Sequence, residues 1–324
     1  MEVLYLTEAD VAQLLTMDVA LEAVESAFRA AAAGQVQNQP RRRLRTGVGA
    51  WLNYMAANDD RSGYFAMKIY TVSKQGYRFL VPLYCGDSGD LVALIEADTM
   101  GCLRTGAASG VATKYMARPD ARRAAILGSG HQAPTQLEAI ARVRRLESAC
   151  VYSRNPERRR AFADKMSAQL GLPVEPMASA EEAVRSADIV AAITTVKAPV
   201  VEGAWLQPGT HVNAAGASYP HRREVDDAVV ARAARIVVDS REQAMMEAGD
   251  LLIPFKDSPE PWDNVRELSD VVAGTTPGRS SAEEITLFKS IGVALEDVAV
   301  AVRIYERARA EGVGRKLPMW EERV

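Results

Sequence analysis

The chain has 324 residues, a formal net charge of −3, 48% hydrophobic residues and 25% charged residues. That length allows two domains with sizeable cores, and that composition excludes a disordered or fibrous chain. The near-balanced charge offers no electrostatic footprint for nucleic acid or a membrane surface, and no apolar run reaches the roughly 18 residues of a membrane span.

The first residues carry acids early and no long apolar core, so no signal peptide is read and the protein is expected in the cytoplasm. Cys85, Cys102 and Cys150 are spaced neither as a zinc site nor as a disulfide framework, which fits a reducing compartment.

Thr7 and Asp10 are spaced as a capping box that opens a short helix through Leu15. A second helix is predicted over 18–33, with Leu21, Val24, Ala27, Phe28 and Ala31 at helical spacing and Gly34 as its stop. From about Leu44 to Glu96 the texture changes to β-prone runs at 51–55, 64–72, 79–85 and 91–96, separated by Gly- and Asp-containing turns. This predicts an antiparallel meander. An Ala-rich helix is predicted over 104–116, and Pro119 marks a boundary.

Beyond Pro119 strands and helices alternate. Strands are predicted at 124–127, 149–153, 188–193, 211–215 and 236–239, with a weaker one near Val174, and helices fall between them, including 132–145 and 156–170. That alternation predicts βαβ units and a parallel sheet. A last helix is predicted over 295–311, with Val298, Val302, Tyr305 and Ala308 along one face and Gly312 at its end.

The sharpest motif is Gly128-Ser129-Gly130-His131-Gln132-Ala133, of the form G-x-G-x-x-A, after an apolar strand and before a helix. Gly128 permits the tight turn, Gly130 lets backbone approach a pyrophosphate, and Ala133 allows close packing of helix on strand. The helix N-terminus then offers N–H groups to the phosphates. The following strand ends in Ser153-Arg154-Asn155, with no acid to accept from a ribose 2′-hydroxyl. An Arg flanked by a hydroxyl and an amide suits a 2′-phosphate instead, and Arg158 and Arg159 add charge nearby. NADP(H) is therefore expected over NAD(H), the plain alternative being that Arg154 is a solvated surface charge.

With these residues in view the chain resembles the ornithine cyclodeaminase/μ-crystallin family. The resemblance is carried by Glu96 to Tyr115 with Arg104-Thr105-Gly106, by the Gly128–Ala133 motif, and by Gly216-Ala217-Ser218-Tyr219-Pro220 through Glu224 and Asp226. Further matches are Val238-Asp239-Ser240, Gly249-Asp250 and Phe288-Lys289-Ser290-Ile291-Gly292. It implies an α/β fold in which a Rossmann doubly wound parallel sheet is inserted in an α+β substrate and dimerisation domain. Residues 1–119 with 295–324 would form the substrate domain of a homodimer, and 120–294 the NADP-binding domain. Family substrates are small α-amino or α-imino acids.

The resemblance also assigns site residues. Arg104 matches the family's carboxylate-binding Arg, and Arg45 resembles a second one. Arg42 or Arg43 takes that role if the register is shifted, and a solvated charged edge is the alternative for the whole run Arg41–Arg45. Lys68 stands in the mostly apolar Phe65-Ala66-Met67-Lys68-Ile69-Tyr70, where a Lys is costly unless paired or functional. It matches the family's active-site Lys and is expected to take part in proton transfer. Thr105, Ser129, Thr194, Thr195 and Ser218 join the cofactor site.

Asn53 and Ser218 are read as pocket residues. The ornithine-type enzymes carry Glu and Asp at these places, so both departures remove carboxylates suited to a diamino acid. Glu224 and Asp226 are read as helix-start residues, and His131, His211 and His221 as no metal cluster.

The expected activity is therefore NADPH-dependent reduction of a small carboxylate-bearing imine, a ketimine or cyclic imino acid, or the reverse amino-acid dehydrogenation. The rivals are a redox-neutral cyclodeaminase with tightly held dinucleotide and a non-enzymatic NADPH-binding protein of the crystallin kind.

Overall fold

A computed structural model describes residues 2–257 and 260–320. The chain divides into two units, Met1–Arg104 with Val293–Val324, and Thr105–Gly292.

The first unit runs β1 (Glu2–Leu6), α1 (Glu8–Leu14), α2 (Met17–Ala32), β2 (Val36–Arg45), β3 (Trp51–Asp59), β4 (Tyr64–Ser73), β5 (Gly76–Cys85) and β6 (Leu91–Glu96). Helix α3 (Asp98–Met116) then carries the chain across the division. The second unit runs β7 (Arg123–Leu127), α4 (Ala133–Val143), β8 (Ser148–Tyr152), α5 (Pro156–Leu170), β9 (Val174–Pro176), α6 (Ala180–Arg185), β10 (Ile189–Ala192) and β11 (His211–Ala214). It continues with α7 (Asp227–Arg232), β12 (Ala233–Val238), α8 (Arg241–Glu247), α9 (Gly249–Leu252), β13 (Val265–Glu267), α10 (Leu268–Ala273) and β14 (Ile285–Lys289). Helix α11 (Ala294–Glu311) and β15 (Arg315–Pro318) return to the first unit.

The first unit is a seven-stranded sheet in the order β15-β1-β6-β5-β4-β3-β2. Its pairings are antiparallel except β1 with β6. Strand alternation sends Asn53, Met55, Ala57 and Asp59 inward, and on β4 Ala66 and Lys68. Helix α11 covers that inner face and packs against α2. The Thr7–Asp10 capping box forms: Asp10 Oδ2 accepts from Thr7 N at 2.9 Å, and Thr7 Oγ1 accepts from Asp10 N at 3.4 Å.

The second unit is an eight-stranded, wholly parallel sheet in the order β13-β12-β14-β11-β10-β7-β8-β9. Both of its faces are covered. On β7, Ala125 and Leu127 enter one apolar cluster while Ala124 and Ile126 enter the other. Strands buried on both faces need continuous apolar runs rather than alternation. From β7 the chain winds outward through β8 and β9, then returns to β10 on the other side. The carboxyl ends of β7 and β10 thus mark the topological switch point, where open α/β sheets bind ligands.

The structure differs from the sequence reading in three places. Strands β1, β2, β13, β14 and β15 were not foreseen. Helix α3 begins at Asp98 rather than Arg104. The division falls between Arg104 and Thr105 rather than at Pro119, because the second unit holds the C-terminal part of α3. Asn213 Nδ2 donates to Thr113 Oγ1 at 3.0 Å, Arg144 Nη2 reaches the carbonyls of Thr113, Lys114 and Ala117, and Arg279 Nε reaches that of Met116 at 2.9 Å. These satisfy carbonyls that the end of a helix leaves unpaired.

Candidate functional site

In the first unit a buried ionic cluster forms where β4, α3 and α11 meet. Lys68 Nζ lies 3.0 Å from Asp297 Oδ1. Arg104 Nε lies 3.0 Å from the same oxygen, and Arg104 Nη1 lies 2.6 Å from Glu296 Oε2. All four side chains are buried. Burial pulls the Lys68 pKa down from 10.5 to about 8, with the Arg104 charge adding to the fall and Asp297 opposing it. The backbone of α3 comes close here, since a Cβ on Gly101 would stand 3.3 Å from Lys68 Nζ.

The arginine run resolves into different environments. A bulge between Gln39 and Arg42 shifts the register of β2. Arg41 is buried, with Nη2 3.7 Å from Met55 Sδ, and Met55 stands opposite Lys68. Arg43 is half-buried opposite Asn53. Arg45 is exposed, its guanidinium 4.2 Å from the centre of the Trp51 ring. The structure thus brings Lys68 and Arg104 together, adds Arg41, and leaves Arg45 on the surface. Asn53 is buried on the same face, and neither of its side-chain polar atoms has a hydrogen-bond partner.

Sequence reasoning missed Glu296 and Asp297. Acids in the first turn of a helix are ordinary partners of the helix dipole and attract no notice. The available signal was that Ala294, Leu295, Val298, Ala299 and Val300 surround them with apolar residues, leaving that turn no polar face.

In the second unit the Gly128–Ala133 loop has the geometry its motif requires. Gly128 has φ +114°, and a Cβ there would lie 2.5 Å from Ile193 O and 3.2 Å from Thr194 Cγ2. A Cβ on Gly130 would meet nothing within 4 Å, so open space lies beside that backbone. Ala133 is fully buried where α4 starts, and Gln132 makes no side-chain cap bond. An uncapped helix start beside open backbone fits a pyrophosphate. Ser129 Oγ lies 2.8 Å from Ser153 Oγ. Asn155 Oδ1 accepts from Arg158 N at 2.7 Å as the cap of α5, and Arg159 Nη1 donates to Ser153 O at 3.0 Å. Arg154 and Arg158 are exposed. Thr105 is buried, its carbonyl accepting from Gln136 Nε2 at 3.2 Å. Thr195 and His131 are exposed, and Ser218 is half-buried. His211 is buried between Thr286 and Asn213, while His221 lies by the Tyr219 ring.

Glu224 is not a helix-start residue. Its carboxylate is fully buried and ties together the loops after β10 and β11. Oε1 accepts from Thr194 N and Oγ1, each at 2.7 Å, and Oε2 accepts from Gly216 N at 2.5 Å and Ala217 N at 3.1 Å. Burial pushes its pKa up, opposed by Lys289. Asp250 Oδ1 accepts from the amides of Glu224 and Val225, and its Oδ2 pairs with Lys289 Nζ at 2.9 Å. Asp226 does start a helix, capping α7 through Val229 N. Asp239 Oδ2 collects Ser290 Oγ, Ile291 N and Gly292 N, which fixes the turn after β14.

The family described as ornithine cyclodeaminase/mu-crystallin matches residues 1–312. Among curated proteins, the chain is 40% identical over 247 residues to a Delta(1)-pyrroline-2-carboxylate reductase of Bacillus cereus, a span covering 76% of each. Among solved structures, it is similar to Thermococcus litoralis Delta(1)-pyrroline-2-carboxylate reductase in complex with NADH and L-proline. The TM-score is 0.92 and the identity 37%, over 97% of this chain and 100% of that one. An archaeal alanine dehydrogenase dimer with bound NAD matches with TM-score 0.92 and 34% identity, over 99% of this chain and 100% of that one.

Proposed function

Because the chain belongs to the ornithine cyclodeaminase/mu-crystallin family, we propose that it is a nicotinamide-dinucleotide-dependent oxidoreductase that reduces the C=N bond of a small carboxylate-bearing imine. The reverse direction is oxidation of the corresponding amino acid. The observation that carries this reading is the meeting of buried Lys68 and Arg104, the two cations that the family resemblance assigns to the site, at one oxygen of Asp297. Buried cations of this kind suit a ligand that carries a carboxylate.

In this reading Arg41 and Arg104 hold the carboxylate, and Lys68 gives a proton to the imine nitrogen. Burial has already brought Lys68 near working pH, where a general acid is most effective. A bound reduced dinucleotide supplies the hydride to the imine carbon. Neutral Asn53 and Ser218 speak for reduction over cyclodeamination, since neither offers a charge to a second substrate ammonium.

The finer cofactor reading is NADP(H). The acid that accepts from a ribose 2′-hydroxyl is absent from Ser153-Arg154-Asn155, and Arg154 and Arg158 are exposed beside it. NAD(H), which both similar solved structures hold, is the rival.

The finer assembly reading is a homodimer. The outer face of the first unit's sheet carries Leu52, Tyr54, Phe65, Met67, Ile69 and Tyr84, all half-buried or exposed. A contiguous apolar sheet face of this kind suits a second copy. Light scattering on the eluting protein would give twice the 35.1 kDa chain mass.

The test of the activity is NADPH or NADH oxidation followed by absorbance, with five- and six-membered cyclic ketimine carboxylates and with α-keto acids plus amines. Turnover with at least one is expected. No oxidation with any of them overturns the reading.

A further inference from the structure

The reductase reading leaves one buried atom unexplained. Lys68 Nζ and Arg104 Nε both lie 3.0 Å from Asp297 Oδ1. The other oxygen, Oδ2, is buried and has no hydrogen-bond partner. Asp297 as a whole is 2% exposed. A buried carboxylate oxygen without a donor forgoes a charge-assisted hydrogen bond and bears its desolvation cost in full. Two cations already share Oδ1, while Oδ2 stands ready to accept from a further donor. Asn53, buried on the sheet face that carries Lys68, also has both polar atoms without a partner. Such unsatisfied groups in one buried region are the mark of a place where a ligand completes the bonding.

We infer that Asp297 is a catalytic residue whose Oδ2 accepts the N–H of the substrate's protonated imine. This inference rests on the reductase reading. Lys68 then passes a proton to the imine nitrogen. One N–H bond of the ammonium breaks, an N–H bond to the imine forms, and Lys68 is left as a neutral amine. The total charge of the site does not change. The cation has moved from Lys68 to the substrate, and Asp297, which faced the ammonium through Oδ1, now faces the iminium through Oδ2. The protonated imine is the form that accepts hydride, so the carboxylate stabilises the reactive electrophile at its nitrogen. After reduction Lys68 regains a proton from water.

The experiment compares two ligands of equal ring size on the full-length protein by calorimetry. L-proline presents a ring NH2+ beside its carboxylate. (S)-tetrahydrofuran-2-carboxylate keeps the ring and the carboxylate and replaces the nitrogen with oxygen. In Asp297→Asn, L-proline is expected to bind about 10- to 100-fold more weakly, the range of one hydrogen bond to a charged group, while the oxygen analogue stays within about threefold.

Equal weakening of both ligands would mean that Asp297 only shapes the site, and no weakening of either would mean that it does not touch the nitrogen. Either result overturns the inference. If Asp297→Asn does not fold, judged by its melting curve, the wild-type protein answers the question. It should hold L-proline at least about tenfold more tightly than the oxygen analogue. Comparable or tighter binding of the analogue overturns the proposal. Failure of the reductase reading is seen separately, as absence of imine-dependent dinucleotide oxidation by wild type.

Discussion

Thr194 gives both its amide and its hydroxyl to a single oxygen of Glu224, each at 2.7 Å. The other oxygen holds the amides of Gly216 and Ala217, so one buried side chain fixes the loops that leave two neighbouring parallel strands. Thr194 also borders Gly128, where the dinucleotide motif turns. Glu224→Gln turns an acceptor into a donor facing other donors. It is expected to cost about 1–3 kcal/mol of stability for the stranded groups. It should also weaken NADPH binding, read by the fluorescence of the bound dinucleotide. Thr194→Val, which keeps the amide bond, should lose about 1 kcal/mol. A Glu224→Gln protein as stable in urea as wild type would remove the hub role.

Lys68 gives a pH signature. The groups that face it are Arg104 and Cys102 on α3, Asp297 on α11 and Arg41 on β2, with Glu296 reaching it only through Arg104. With the folded pKa near 8, the ammonium form is complete at pH 6 and largely lost by pH 9. Imine reduction needs the ammonium, so its kcat/KM is expected to fall as pH rises through about 8, while amino-acid oxidation rises over the same range. Because the folded pKa lies below the ordinary 10.5, the unfolded chain binds more protons between about 8 and 10.5, and this group's contribution to stability grows as pH rises through that window. Lys68→Met should abolish the break near pH 8 together with most of the activity. A rate profile with the break unchanged in that variant would assign it to another group.

Arg154 tests the cofactor preference. Its replacement by Asp removes a guanidinium and supplies the acid that a ribose 2′-hydroxyl prefers. The KM for NADPH is expected to rise about 10- to 100-fold, the value of one hydrogen bond between charged groups, and that for NADH to stay level or fall. Equal changes for both cofactors would leave Arg154 a solvated charge.

His211 makes the fold sensitive to acid. It is buried between Thr286 Oγ1 at 2.9 Å and Asn213 Oδ1 at 3.2 Å, and burial, with Arg279 nearby, pulls its pKa down from 6.5 to about 3. Below pH 6.5 the unfolded chain takes up a proton that the folded one refuses, so stability falls with falling pH, by about 1.4 kcal/mol per unit at most, until about pH 3. His211→Gln should flatten that loss in melting curves recorded from pH 7 to 4, whatever it costs at pH 7. An identical slope in both proteins would exclude His211 as its source.

How far each element was readable follows from its surroundings. Helix α5 carries Asn155 as cap, Pro156 at its start and Gly171 in the left-handed conformation at its end, and its predicted and observed spans coincide. The Gly128 motif was legible because its strand and helix flank it in sequence. Strand β14 was not: Ile285–Lys289 is buried at every residue, so it shows no alternation, and its Lys reads as a surface residue. Strand β2 hides behind Pro40 and consecutive arginines, and its bulge breaks the period that would have separated buried Arg41 from exposed Arg45. The acids of α11 needed a partner far away in sequence before they could be read as anything but helix-start charges.

Strand β15 pairs with β1, and β1 pairs with β6, so the first unit's sheet is completed by a segment that follows α11 in the chain. The second unit is one continuous stretch, Thr105–Gly292, and its own pairings are complete before α11 is translated. During synthesis Lys68, on the sheet, and Arg104, on α3, therefore wait without Glu296 and Asp297, and the sheet lacks its covering helix. A nascent or truncated chain that stops short of residue 293 would keep a finished dinucleotide fold and expose a cationic, half-open sheet. Hydrophobic surface of that kind is what chaperones and proteases recognise. Arrival of α11 brings two carboxylates to those cations and covers the sheet in one event, so the catalytic cluster cannot assemble before α11 is made.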